Sequence, residues 1–383
     1  MNTVERFTAA YKGTPADRVP VCGWLGMPWL QRTTGKTILA LLQEFVENPL
    51  AIVEIQESLG LDPIVVTVDD RWFSMHNYWR LLYSWSREAL ETWQVTQEVT
   101  EAGKGFVTYQ FTANTPDGPV VWGYQVGGGQ VSELERPIKE ETDLELLVKY
   151  LPAPESLNQD KLAAMVKAVG DRGFVTHNFI GVWGEAANMR GLVTLCTDLY
   201  ERPEFVKRIS EFLMERSIRR VKHLAQSGIH SLLYDQSWVG VGFSPQMYKE
   251  FMLPYDRKVV QAAHDAGLLV SYHNCGRGTL FLEEMVSTGA DALETLTPKV
   301  SSGDFDLTDV KRRVGRQITL NGGFNERILP TASLAEVRDQ VKRCLDAAAG
   351  DGRYILRTCG QIFDAAPGSI EAFAQAGRDY GRF

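Results

Sequence analysis

Short apolar runs bounded by turn residues recur along the chain, each followed by a stretch whose apolar positions repeat at helical spacing. The runs are Val19–Trp24, Leu61–Asp69, Phe174–Gly181, Ser231–Gln236, Leu268–Cys275, Ala290–Leu296, Gln317–Gly323 and Tyr354–Gly360. Helical spacing fills Thr37–Leu59, Pro203–Ser227, Pro245–Ala266, Thr279–Thr288 and Leu334–Ala349. Strands alternating with helices in this way predict a parallel sheet closed as a (β/α)8 TIM barrel. An open doubly wound sheet is the alternative that pattern alone leaves.

One stretch breaks the alternation. Arg71–Gln130 is rich in Trp and Tyr and then alternates as FVTYQFTANTPDGPVVWGYQV, with an Asn-Thr-Pro-Asp-Gly turn inside it. This predicts an aromatic-rich β-hairpin inserted after strand 2, at about residues 71–150, with Leu151–Pro154 as its exit linker. The expectation is a single domain over 1–383 carrying that insertion.

Composition narrows the partners. A net charge of −8 without a Lys/Arg run argues against nucleic acid. No run of about 18 apolar residues spans a membrane, and MNTVERFTAAYKGTPADRVP lacks the basic-then-apolar layout of a signal peptide. Five irregularly spaced cysteines fit reduced thiols, so the expected location is the cytoplasm.

Barrel active sites collect at the C-terminal ends of the strands. His273 and Cys275 end the fifth run, and residues two apart on a strand share a face. Cys359 ends the eighth run and Glu294 lies near the end of the sixth. Imidazole, two thiolates and a carboxylate suit tetrahedral zinc, and thiolates disfavour magnesium and calcium. Glycine follows both cysteines, as Gly276 and Gly360, and lets the backbone turn tightly around a bound group. The competing reading makes these cysteines core fillers, as is expected for Cys344 on a helix face.

The chain at this point resembles the uroporphyrinogen decarboxylase superfamily and, within it, the zinc- and corrinoid-dependent methyltransferases. The resemblance rests on ERFTAAYKGTPADRVPV near the start, GVWGEAANMRG at 181–191, YDQSWVGVGFSPQMYKEFMLPYDRKVV at 234–260, YHNCG at 272–276 and ITLNGGFN at 318–325. It implies that His273, Cys275 and Cys359 bind zinc, with Glu294 as a displaceable fourth ligand. It also implies a partner protein carrying a corrinoid (a cobalamin-type cofactor), whose Co(I) accepts a methyl group. The reverse reaction, from methyl-corrinoid to a thiol of the coenzyme M type, would use the same ligands. Porphyrinogen decarboxylases of this superfamily carry an Arg-Gln-Ala-Gly-Arg stretch after strand 1. Here that region reads WLGMPWLQRTTG, with Arg32 its only cation, which suits a substrate of many carboxylates poorly. An aspartate after strand 2 persists as Asp69 or Asp70.

Trp24, Trp29, Trp72, Trp79, Trp122, Trp183 and Trp238 fall at or after predicted strand ends or in the insertion. They suggest an aromatic vestibule and hence a phenyl methyl ether as methyl donor, although loop-covering Trp is the plain alternative. Trp24, Trp72, Trp183, Trp238 and Asn321 are the candidate substrate contacts. Asp235, His177 and Glu185 are candidate catalytic or orienting groups; a loop cap, a core histidine and a helix cap are their respective structural readings. A barrel that has lost catalysis and serves only as a binding partner is the remaining class.

Overall fold

The computed structural model describes residues 1–68, 84–127, 130–240 and 242–382. In chain order the strands are β1 (Val21–Leu25), β2 (Ile64–Val68), β3 (Ser84–Trp85), β4 (Gln94–Gly103), β5 (Phe106–Thr115), β6 (Gly118–Gly127) and β7 (Gln130–Glu135). They continue as β8 (Leu157–Asn158), β9 (Phe174–Ile180), β10 (Ser231–Asp235), β11 (Leu269–Asn274), β12 (Ala292–Thr295), β13 (Thr319–Gly322) and β14 (Tyr354–Ile362). Eight of them form one sheet in the order β1-β14-β13-β12-β11-β10-β9-β2, and every pairing in it is parallel. With helices between the strands, this is the nearly closed (β/α)8 barrel that the alternation predicts.

The open seam lies between β1 and β2. At its lower end Asp62 closes the gap, its N–H donating to the Val21 carbonyl at 2.7 Å and its carboxylate accepting from the Val21 N–H at 2.8 Å. Arg6 and Arg18 lock that carboxylate at 2.9 and 2.6 Å. Higher up, Gln56 stands in for the missing neighbour: its amide both donates to the Ile64 carbonyl and accepts from the Ile64 N–H, each at 3.1 Å. A strand edge buried without such partners would be costly.

The helix Thr3–Lys12, fixed by a capping box between Asn2 and Glu5, closes the N-terminal end of the barrel. Its Phe7 and Tyr11 stack on Phe174 with ring centroids 5.0 and 5.6 Å apart, over a floor of Cys22, Ile64, Ala292 and Ile355. This plug leaves the opposite end, where barrel sites collect, uncovered by the N-terminal helix.

Two helices differ from the sequence pattern. Thr37–Leu59 is two helices, Ile38–Glu47 and Leu50–Ser58, because Pro49 cannot continue the first one. Pro245–Ala266 likewise divides into Pro245–Phe251 and Leu253–Asp265, the second starting with Pro254 in its first turn. The segment expected to give one hairpin holds a four-stranded antiparallel sheet, β4-β5-β6-β7. In it Phe111 stacks on Trp122 with centroids 5.5 Å apart. No helix among the described residues is long and apolar enough to cross a membrane.

Candidate active site

Strand alternation decides which side chains reach the barrel interior. Phe174 faces inward against the plug helix, and cross-strand register carries that face from strand to strand. Asp235 pairs with His273, His273 with Glu294, and Glu294 with Asn321. These positions form a tier above the apolar floor, and Arg357 of β14 joins them through its contact with Glu294.

Glu294 is the hub of this tier. Its side chain is 1% exposed and accepts from Ser271 Oγ at 3.2 Å, Asn321 Nδ2 at 3.0 Å and Arg357 Nη1 at 2.5 Å, all on Oε2. Its Oε1 lies 3.0 Å from His273 Nδ1. Burial alone would raise this carboxyl, but the Arg357 charge and the bond to His273 outweigh it and hold it below the ordinary range. Glu294 is thus not poised as an open ligand. It holds His273 by one ring nitrogen, which is how an outer carboxylate fixes a metal-bound imidazole and leaves the other nitrogen for the metal.

His273 also hydrogen-bonds the Cys275 thiol. Burial would lower the ring's pKa, yet the bonds to Cys275 and Glu294, with the Asp235 charge, push it up to about 10. The same bond lowers the Cys275 thiol from its ordinary value. Cys275 is exposed at the mouth and lies 3.5 Å from Ser237 Oγ. Cys359 stands apart: it is buried, its thiol contacts the Leu296 carbonyl at 3.6 Å, and burial pushes its pKa well up. Among the described residues no three His, Cys, Asp or Glu side chains are grouped closely enough to hold a metal ion. The held imidazole beside an exposed thiol is a pair of donor types that suits zinc, while Cys359 lies away from both.

The other candidates have varied surroundings. Asp235 caps the loop after β10, accepting from the Ser237 N–H at 3.0 Å and from the Ser237 hydroxyl. His177 lies on the outward face of β9, 2.8 Å from Thr67 Oγ1 across the β2 register and away from the interior. Glu185, in the first turn of the helix Val182–Arg190, acts electrostatically on Tyr124 and Arg216. Asn321 donates to Glu294 and leaves its buried Oδ1 without a partner among the described residues.

Among the described residues the Trp side chains do not gather into one vestibule. Trp183 is 1% exposed and packs edge-on against Phe243, and Trp122 lies in the inserted sheet. Both are drawn into packing because their rings have large apolar neighbours close by. Trp238 is 44% exposed near the mouth, and Trp24 stands in the interior with its ring 5.6 Å from the Arg357 guanidinium. Trp72, Trp79, Asp69 and Asp70 lie outside the described residues. Arg357, central to the tier, escaped the sequence reading. Its signal was a lone cation inside the apolar run YILRTC, where an unpaired charge would not be tolerated.

Comparison with known proteins agrees with this layout. The chain is 25% identical over 245 residues to a uroporphyrinogen decarboxylase of Cupriavidus pinatubonensis, covering 60% of this chain and 65% of that one. It is 27% identical over 265 residues to that of Aeromonas salmonicida, covering 63% and 66%. The chain thus spans just under two thirds of these curated relatives' length. A solved methyltransferase from Methanosarcina mazei shares the fold over 99% of both chains, with a TM-score of 0.68 at 16% identity. Residues 122–380, with six of the eight barrel strands and the whole Asp235–His273–Glu294–Asn321–Arg357 tier, match the family profile "Uroporphyrinogen decarboxylase (URO-D)", and the chain belongs to that family.

Proposed function

We propose that the chain is a zinc-dependent methyltransferase that takes a methyl group from a donor and passes it to the Co(I) corrinoid of a separate carrier protein. The observation that carries this reading is the Glu294–His273–Cys275 relay at the strand ends, in which a buried, cation-held carboxylate orients an imidazole beside an accessible thiol. His273, Cys275 and Cys359 would hold the zinc, with Glu294 acting through His273. When bound, zinc would act as a Lewis acid on the donor heteroatom and make it a better leaving group.

The chain's own residues do the remaining work. Glu294 orients the His273 ring through its Nδ1, and Arg357, Asn321 and Ser271 keep Glu294 from turning. The plug helix and apolar floor exclude water from below. Trp24 offers an aromatic surface to the substrate, which favours a phenyl methyl ether as donor. A carrier protein would dock over the barrel mouth, where Cys275 and Trp238 are exposed.

The decarboxylase reading has sequence similarity on its side. Against it, Arg32, the only cation of WLGMPWLQRTTG, is already paired with Asp364 at 3.0 Å and with the Phe363 carbonyl. Among the described residues that leaves no cationic cluster there for a polycarboxylate. The deciding experiment supplies zinc-loaded protein with a Co(I) corrinoid carrier and follows the cobalt spectrum. Loss of Co(I) bands with methoxyarenes is expected. Methylation of a thiol from methyl-corrinoid, with methoxyarenes left intact, would reverse the direction, and carbon dioxide release from uroporphyrinogen would replace the reading. Metal analysis should give about one zinc per chain, lost in Cys275→Ser and Cys359→Ser.

A further inference from the structure

The interior tier holds an unused binding edge. Arg357 is 1% exposed and gives only Nη1 to Glu294; its Nε and Nη2 have no hydrogen-bond partner among the described residues. Leaving donors of a buried charged group idle is expensive, so an occupant is expected. Nε and Nη2 share one edge of the guanidinium plane, and their parallel N–H groups match the two oxygens of a carboxylate. The molecule uses this same edge elsewhere for that purpose: Arg172 on Glu57, Arg190 on Asp198 and Arg219 on Glu155.

The surroundings do not satisfy that edge. Besides Glu294, Cys22 and Tyr11 act most strongly on Arg357 among the titratable groups. Both stay neutral, because burial pushes the Cys22 thiol up to about 12 and the Tyr11 hydroxyl above its ordinary range. Trp24 covers the guanidinium from 5.6 Å, and the same ring lines a pocket in the β1–β2 seam with Met27, Leu30, Val66 and Met165. The free space inside that pocket runs out to open solvent. Among the described residues its wall is apolar except for Gln56, whose amide is committed to Ile64.

We propose that Arg357 is a substrate-binding residue and that the substrate is an arene carboxylate, its ring in the β1–β2 seam beside Trp24 and its carboxylate on the Nε/Nη2 edge. This deepens the proposed function, and rests on it only for the methyl group, since binding of the acid needs no methyl transfer.

Calorimetric titration of the full chain with 3-methoxybenzoate and with its methyl ester tests the idea. The acid should bind at least about ten-fold more tightly than the ester, the difference expected of a charge-assisted bidentate contact. Arg357→Lys keeps a cation for Glu294 but has no fork, and should bring the acid down to the ester's affinity. Equal binding of acid and ester by the wild type overturns the proposal. So does an acid preference that survives in Arg357→Lys, which would place the carboxylate elsewhere, on a metal for example. If Arg357→Lys fails to fold, Val66→Phe is read instead. It plugs the seam and should abolish acid binding, and unchanged binding refutes the assignment. Methyl transfer from a neutral methoxyarene, with no acid preference, removes this inference and leaves the proposed function standing; acid binding without any methyl transfer does the reverse.

Discussion

Replacing Glu294 by Gln should strip Arg357 of its counter-charge while keeping the shape of the interior tier. Glu294 and Arg357 are each 1% exposed and ion-paired at 2.5 Å, so the substitution leaves a guanidinium buried without a counter-charge. Breaking a buried pair from one side costs about 3–5 kcal/mol. Unfolding entropy of about 2.1 cal/mol/K per residue amounts to roughly 0.8 kcal/mol/K for 383 residues. The melting temperature should therefore fall by about 4–6 °C in scanning calorimetry. Arg357→Met in the same chain removes the orphaned charge as well, and an apolar replacement of a buried pair is often neutral or stabilising. The double variant should regain most of the loss, a coupling that a double-mutant cycle reads directly. If Glu294→Gln melts within 1 °C of the wild type, or the double variant is no better than the single, the charge-hub reasoning is refuted.

Other consequences can be checked separately. Asp256 is fully buried among Tyr234, Gln236, Tyr248 and Tyr272, and burial raises its carboxyl from 3.8 to about 6 against those hydrogen bonds. Its native form holds a proton that the unfolded chain has released, so its contribution is fully present below the ordinary carboxylate pKa and is lost as pH rises through about 6. Asp256→Asn should flatten the fall in unfolding free energy between pH 4 and 7 by up to about 3 kcal/mol in urea titrations; parallel curves for variant and wild type would count against it. Cys275 is exposed whereas Cys22, Cys344 and Cys359 are buried. A brief iodoacetamide pulse read by peptide mass spectrometry should therefore label Cys275 first, and zinc should slow that labelling; equal labelling of Cys359 would contradict the placement. At Gly322, with φ +131°, an added Cβ would fall 1.9 Å from the Thr295 carbonyl oxygen, whereas at Gly350 it would meet nothing within 4 Å. Gly322→Ala should destabilise by more than about 1 kcal/mol in urea melts while Gly350→Ala stays near neutral, and a neutral Gly322→Ala would show the backbone is freer than described.

How much was legible in the chain follows from the range of each signal. Alternation is local, so eight apolar runs and the same-face spacing of His273 and Cys275 could be read directly. The breaks at Pro49 and before Pro254 were equally local, but a continuous helical period masked them. The inserted sheet shows the reverse: its turn residues marked one hairpin, and only tertiary packing made four strands of the region. The Trp pattern misplaced Trp183, because position near a strand end does not say which way a ring turns. Trp183 found Phe243 and Trp24 found Arg357.

The sequence by itself determined the barrel, the tier of strands that bear chemistry and the pairing of an imidazole with a thiol, since all of these follow from periods of two and about three and a half residues. Tertiary structure alone decided what Glu294 does. Barrel closure sets β11, β12, β13 and β14 side by side, and that register delivers Ser271, Asn321 and Arg357 to one carboxylate from three separate strands. It also decided where the barrel stays open, because the β1–β2 seam depends on Asp62 and Gln56 satisfying backbone groups that a neighbouring strand would otherwise take. No local pattern encodes either outcome, since each depends on hydrogen bonds between groups that meet only once the sheet has curled.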